Sequence, residues 1–214
     1  MEANLPTPYC NGMQEHPSAG VERAKLLSAP RQSSESSGSR NTLGLDPLAL
    51  HLSFGLAYTV GSATGQIPPS VESCLTAFIS PNRVGLTAGA RAWSKHAHRS
   101  QPHNSTPEEV KKTESSTGWW GTPSGPVAVI NERALELFWK VMNAATWRNL
   151  HWLPHQILVY EVRVAEGYGM RWSQDLSAVE GNDSDAGAIP EWTFRGFVEP
   201  MMEGGHEVGW RHSV

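Results

Sequence analysis

Toward the C-terminal end of the chain, apolar and polar side chains alternate in four short segments. In Gln156–Val164, Leu158, Tyr160, Val162 and Val164 share one face, while Glu161 and Arg163 share the other. In Tyr168–Gln174, Met170 and Trp172 oppose Arg171 and Ser173. In Glu191–Glu199, Trp192, Phe194 and Val198 oppose Thr193, Arg195, Phe197 and Glu199. In Glu207–His212, Val208 and Trp210 oppose Arg211. Successive residues of a strand point to opposite faces. The pattern therefore predicts one antiparallel sheet with a dry face and a face carrying four arginines.

Helical spacing appears upstream. Ala134, Leu137, Phe138, Val141 and Met142 form an apolar stripe in Asn131–Ala145. Asn131 is the expected cap of that helix, and Glu132 would meet its positive end. Three shorter helices are expected at Leu48–Val60, Ser70–Ile79 and Val84–Arg99. Ser70 would cap the second, after Pro68 and Pro69. In the third, Gly85 and Gly89 would let a neighbouring backbone approach closely. The expected fold class is α+β: an antiparallel sheet from the C-terminal part, packed against helices, behind a disordered N-terminal tail.

The domain limits follow from composition. Residues 1–42 are rich in Pro, Ser and Gly and read as a tail, with Ser33–Ser39 as a targeting or phosphorylation segment or as a stretch without a role. Residues 43–214 read as one domain, with a polar linker near 101–117 and a mobile acidic loop near 175–189. Cys10 and Cys74 form no disulfide framework and no ligand motif, which fits a reducing compartment. Met1–Cys10 lacks the basic start and apolar run of a secretory signal, and the apolar part of Pro47–Val71 is short and broken by His51, Ser53, Gly55 and Gly61, which reads as a buried core helix and not a membrane span. A cytoplasmic or nuclear location is expected.

The net charge is −4 and the pI about 6.1. Residues 43–116 hold six Lys/Arg and five Asp/Glu, whereas 117–214 hold seven and twelve, so the acidity sits in the second part. This balance disfavours nucleic acid as the partner, and with it RNA binding through Arg91–Arg99 and exposed tryptophans.

Four groups of residues carry candidate chemistry. Arginine offers a fork of donors matched to carboxylate or phosphate, so Arg163, Arg171, Arg195 and Arg211 would hold an anionic ligand if they converge. The bland reading is a solvated face laced by pairs with Glu161, Glu191 and Glu199. His151, His155, His206 and His212 are candidates for proton transfer at the rim of that face, or for a metal, although Pro154 breaks any common helix face of His151 and His155. Lys95 and His98 lie in a basic helix end that would grip a phosphate or complement the helix dipole. Of nine tryptophans, Trp139, Trp172, Trp192 and Trp210 fall on apolar stripes and read as core. Trp119, Trp120 and Trp152 do not, and are candidates for a pocket wall. No dinucleotide fingerprint, phosphate-binding loop, nucleophile elbow or paired-Cys motif is present.

The run Gly125–Val164, with Trp147-Arg148-Asn149-Leu150-His151-Trp152-Leu153-Pro154-His155 inside it, resembles a eukaryotic protein family of unknown function. So do Gly167–Trp172 and Gly205–His212. The resemblance implies no activity, cofactor or site. The leading expectation is a site for an anionic small molecule on the arginine face, with no cofactor assigned. The second is a non-enzymatic domain that contacts a protein partner through the Trp119–Trp120 loop and the acidic loop.

Overall fold

The computed structural model describes residues 7–28, 46–100, 118–177 and 190–201. Five helices and a four-stranded antiparallel sheet make an α+β fold. The helices are α1 (Ala19–Ser28), α2 (Pro47–Ser53), α3 (Val71–Ile79), α4 (Ala88–His96) and α5 (Val127–Ala144). A short 3₁₀ turn, Ala97–Ser100, follows α4. The strands β1 (Ala145–Leu153), β2 (Ile157–Val164), β3 (Gly169–Asp175) and β4 (Thr193–Val198) pair in chain order.

Side-chain oxygens set several helix starts. Asp46 accepts from the amides of Leu48 and Ala49, Ser70 from Ser73, and Thr87 from Ala90. The expected Asn131 cap needs correction, because α5 begins four residues earlier, behind Pro126, with no side-chain cap bond. Asn131 instead ties α5 to α4: its Oδ1 accepts from Thr87 N at 3.0 Å and its Nδ2 donates to Gly85 O at 2.9 Å.

The dry face forms the core. Leu158, Tyr160, Val162, Met170 and Trp172 lie under α3, α4 and α5, which contribute Phe78, Trp93, Phe138 and Val141. Phe78 sits edge-on to Phe194 at 4.8 Å and packs at 5.1 Å from Phe138. Its ring occupies the space beside Gly89, where a Cβ would meet Phe78 Cζ at 2.1 Å. Gly89 thus admits a ring, where a backbone was expected.

One register shift changes the expected faces. Arg171 pairs with Gly196, but Trp172 pairs with Phe194, leaving Arg195 as the extra residue of a bulge. Gly196 takes the φ of 132° that this kink requires. Phe197, expected on the arginine face, is thereby turned into the dry core beside Phe194 and Trp120.

The expected tail over 1–42 is corrected across its described part. Tyr9 N donates to Thr146 O and Asn11 N to Ala165 O, which pins this segment to the ends of β1 and β2. Arg23 of α1 is buried and paired with Glu15 through both guanidinium nitrogens, and it also donates to Leu56 O. Cys10 and Ala57 pack on Trp147. Ser33–Ser39, the 101–117 linker, most of the acidic loop and the Glu207–His212 strand lie outside the described residues. No helix among the described residues is long and apolar enough to cross a membrane.

Candidate functional site

Antiparallel register brings polar side chains of three strands into two rows. Asn149, Glu161 and Arg171 are successive partners across β1, β2 and β3. His151, Val159, Ser173 and Thr193 form the neighbouring row, which reaches β4. The expected alternation in β2 and β3 is observed, but the face is not solvated. Glu161 is 3% exposed and Arg163 2%, because the N-terminal segment and the loop after α2 cover this end.

Glu161 is the hub. Its Oε1 accepts from Arg163 Nε at 2.5 Å, and its Oε2 accepts from Arg171 Nε. Burial alone would raise the Glu161 carboxyl, but the two guanidinium groups outweigh it and hold the pKa below its ordinary value. Arg163 is committed to structure, since its Nη1 also donates to Gly167 O at 2.6 Å and Glu199 O at 2.7 Å. Arg171 differs. Its side chain is 43% exposed, so one end is fixed by Glu161 and the other faces outward.

His151 is half-buried beside this group. Burial lowers its pKa; Glu161 opposes the shift, while Arg171 and Arg163 add to it. Its imidazole is therefore neutral near pH 7 and able to accept a proton. Loop residues 57–63 run along the outer edge of β1, with Ser62 opposite His151. Ala57 N donates to Arg148 O and Ala63 N to Leu150 O. Asn149 is locked by Ser62 Oγ at 3.0 Å and Thr59 Oγ1 at 3.1 Å.

The other expected site residues are scattered. Arg195 is exposed in the bulge and makes no ion pair among the described residues. His155 is exposed in the β1–β2 turn, at a φ of 62°. Lys95 and His98 are exposed at the end of α4, in the layer that covers the dry face, and do not join the polar rows. Trp152 is 42% exposed at the end of β1. Trp120 is core, 2% exposed, against Tyr168 and Phe197. Trp119 stacks on Tyr168 at 4.7 Å, with Lys140 Nζ 3.6 Å from its ring centre. Trp139 departs from the core role expected of it and is 39% exposed. Arg211, His206 and His212 lie outside the described residues.

Sequence reasoning missed Asn149, Ser62 and the buried His51. His51 Nε2 lies 2.9 Å from Ala57 O, and burial depresses its pKa. Among the described residues no group of three or more His, Cys, Asp and Glu side chains gathers as a metal ion would need. Burial also pushes the Cys74 thiol up to about 12, which keeps it protonated.

Residues 76–181, just under half of the chain, match the family model described as CdiA C-terminal tRNase toxin domain. No curated protein and no solved structure matches the chain. The family match overturns the resemblance to a eukaryotic family of unknown function. It also overturns both expected functions, the anion-binding domain for a small molecule and the non-enzymatic domain built on the Trp119–Trp120 loop. The exclusion of nucleic acid falls with them. That exclusion rested on total charge, which is an average and does not report what lines a particular face.

Proposed function

We propose that this chain cleaves RNA and that its substrate is tRNA. The observation that carries the reading is the family match over residues 76–181, a stretch that contains His151, Glu161, Arg163 and Arg171. Their arrangement supports it.

Cleavage of a ribose phosphodiester needs a base for the 2′-hydroxyl and positive charge beside the phosphorus as charge builds there. In this reading His151, neutral at physiological pH, takes the 2′ proton. The 2′ oxygen then bonds to phosphorus, the bond to the 5′ oxygen breaks, and that oxygen leaves with a proton from water. Arg171 supplies the charge, since a guanidinium does not deprotonate. His151 and Arg171 stand two strands and one row apart, about 12 Å between their backbones. Glu161 holds Arg171 toward β2, so a backbone phosphate and its ribose bound across β2 would lie between the two. Glu161 and Arg163 act as positioning residues that hold Arg171 in place. In this reading residues 43–214 form the domain, with residues 7–28 as part of its cover. A tRNA substrate sets the place of action in the cytoplasm.

The test is incubation of the purified chain with tRNA and separation of the products on a denaturing gel. Discrete fragments are expected, at a rate about 100-fold lower in His151→Ala and in Arg171→Ala. Intact tRNA with the unsubstituted chain would overturn the activity. Unchanged rates in both variants would overturn the site.

A further inference from the structure

A concavity lies beside the β4 end of the row that begins with His151. It has a volume of about 680 Å³ and is walled by α3, the start of α4 and the start of β4. Glu72, Thr76, Asn82, Arg91, Glu191 and Trp192 supply its chemistry. Thr193 belongs to both places: it is the last member of the row His151–Val159–Ser173–Thr193, and it lines the groove. The row runs on the polar face and the groove opens in the helical layer on the other, so the two meet at the β4 edge, and a single strand that passes round that edge touches both.

We infer that this groove binds an unpaired guanine base of the RNA; the inference rests on the RNA-cleavage reading and names what its substrate places there. Three observations support it. Trp192 is half-buried, with Tyr160 edge-on at 6.5 Å, and it lines the cavity as a flat apolar surface. An aromatic ring in a groove is the ordinary platform for an unstacked base. The charges in the groove then choose between base and phosphate. Glu72 and Glu191 are exposed carboxylates, which repel a phosphate and accept from ring and exocyclic N–H groups. Arg91 is exposed on α4 and has no carboxylate partner among the described residues. A guanidinium matches the O6 and N7 acceptors of guanine. Guanine is the base that offers two acceptors to an arginine and N–H donors to a carboxylate. Asn82 does not compete, because its Oδ1 is held by the amides of Val84 and Leu86.

The experiment has two arms on the full chain. In the first, guanosine and adenosine are titrated separately while the indole N–H signals are followed by NMR, with Trp192→Phe to assign the Trp192 signal. Saturable movement of that signal with guanosine, and at least tenfold weaker binding of adenosine, is expected. No movement of the Trp192 signal, or equal binding of both nucleosides, would overturn the inference. In the second arm, cleavage of tRNA is measured for Arg91→Ala, a change on an exposed helix surface that leaves the core untouched. A KM raised about tenfold with kcat within twofold is expected; an unchanged KM would overturn the inference. If the unsubstituted chain cleaves nothing yet guanosine moves Trp192, the activity fails and the groove stands. If cleavage is normal and guanosine moves nothing, the groove alone fails.

Discussion

The two faces of the sheet are held by opposite means. The dry face is covered by three helices, whose Phe78, Trp93 and Phe138 pack with Trp172 and Phe194 of the sheet, all buried and contiguous. Its attraction is non-directional and grows with the apolar area removed from water. The polar face is covered by a short segment and a loop. There Glu161 joins two arginines, Glu15 joins Arg23, and Asn149 is held by Ser62 and Thr59. Each of those contacts is directional, and losing one partner strands the other. The dry face therefore governs whether the chain folds. The polar face governs where individual charged groups point.

This comparison can be broken or sharpened by substitution. Phe138→Ala empties the middle of the dry face and should lower unfolding free energy by about 3–5 kcal/mol in denaturant titration. Glu161→Ala should cost about 3 kcal/mol by the same measurement, because Arg163 stays buried without its carboxylate. A loss under about 1 kcal/mol would show that the polar face is as forgiving as a solvated one. Arg171→Ala separates stability from action, since this side chain is 43% exposed. It should change stability by less than about 1 kcal/mol yet slow tRNA cleavage about 100-fold.

Acid should act on the polar side first. His51 is buried with a pKa below its ordinary 6.5, so the unfolded chain binds its proton more readily than the folded one. Stability is then full above about pH 6.5 and falls as pH drops below it. Glu161 adds a second loss, because its depressed pKa contributes stability above about 4.5 that disappears as pH falls further. Melting temperature followed from pH 8 to pH 4 should decline in that order, and His51→Gln should flatten the upper part. The smallest effect is expected at Trp152, which is 42% exposed. Trp152→Ser should shift stability by no more than about 0.5 kcal/mol.

The dry face was legible because its signal is periodic. The i, i+3, i+4 stripe of α5 and the alternation in β2 and β3 each repeat one simple geometry. Strand β1 was not, because its two faces carry similar chemistry. Trp147 and Asn149 point one way and Arg148 and Leu150 the other, so no contrast remains to be read. It also follows α5 directly, with no turn residues to mark a boundary. Phe197 was placed on the wrong face because one bulge residue reverses every position beyond it. In the candidate site, the alternation brought Glu161 and Arg163 to one face, but their meeting with Arg171 depends on strand order. The cover from residues 7–28 was hidden by composition. It is held by backbone amides and one buried ion pair, and Pro-, Ser- and Gly-rich sequence conceals such bonds.

The loop at residues 57–63 carries one more consequence. Its amides occupy outer carbonyls of β1, Ala57 N donating to Arg148 O and Ala63 N to Leu150 O. A sheet that can be extended from both sides can grow without limit into fibres, whereas one sealed on one side can at most close into a pair. The loop thus denies an incoming strand the outer rim of β1, and Ala57 and Ala63, the two residues that donate to it, are small enough for the backbone to lie flush along its neighbour.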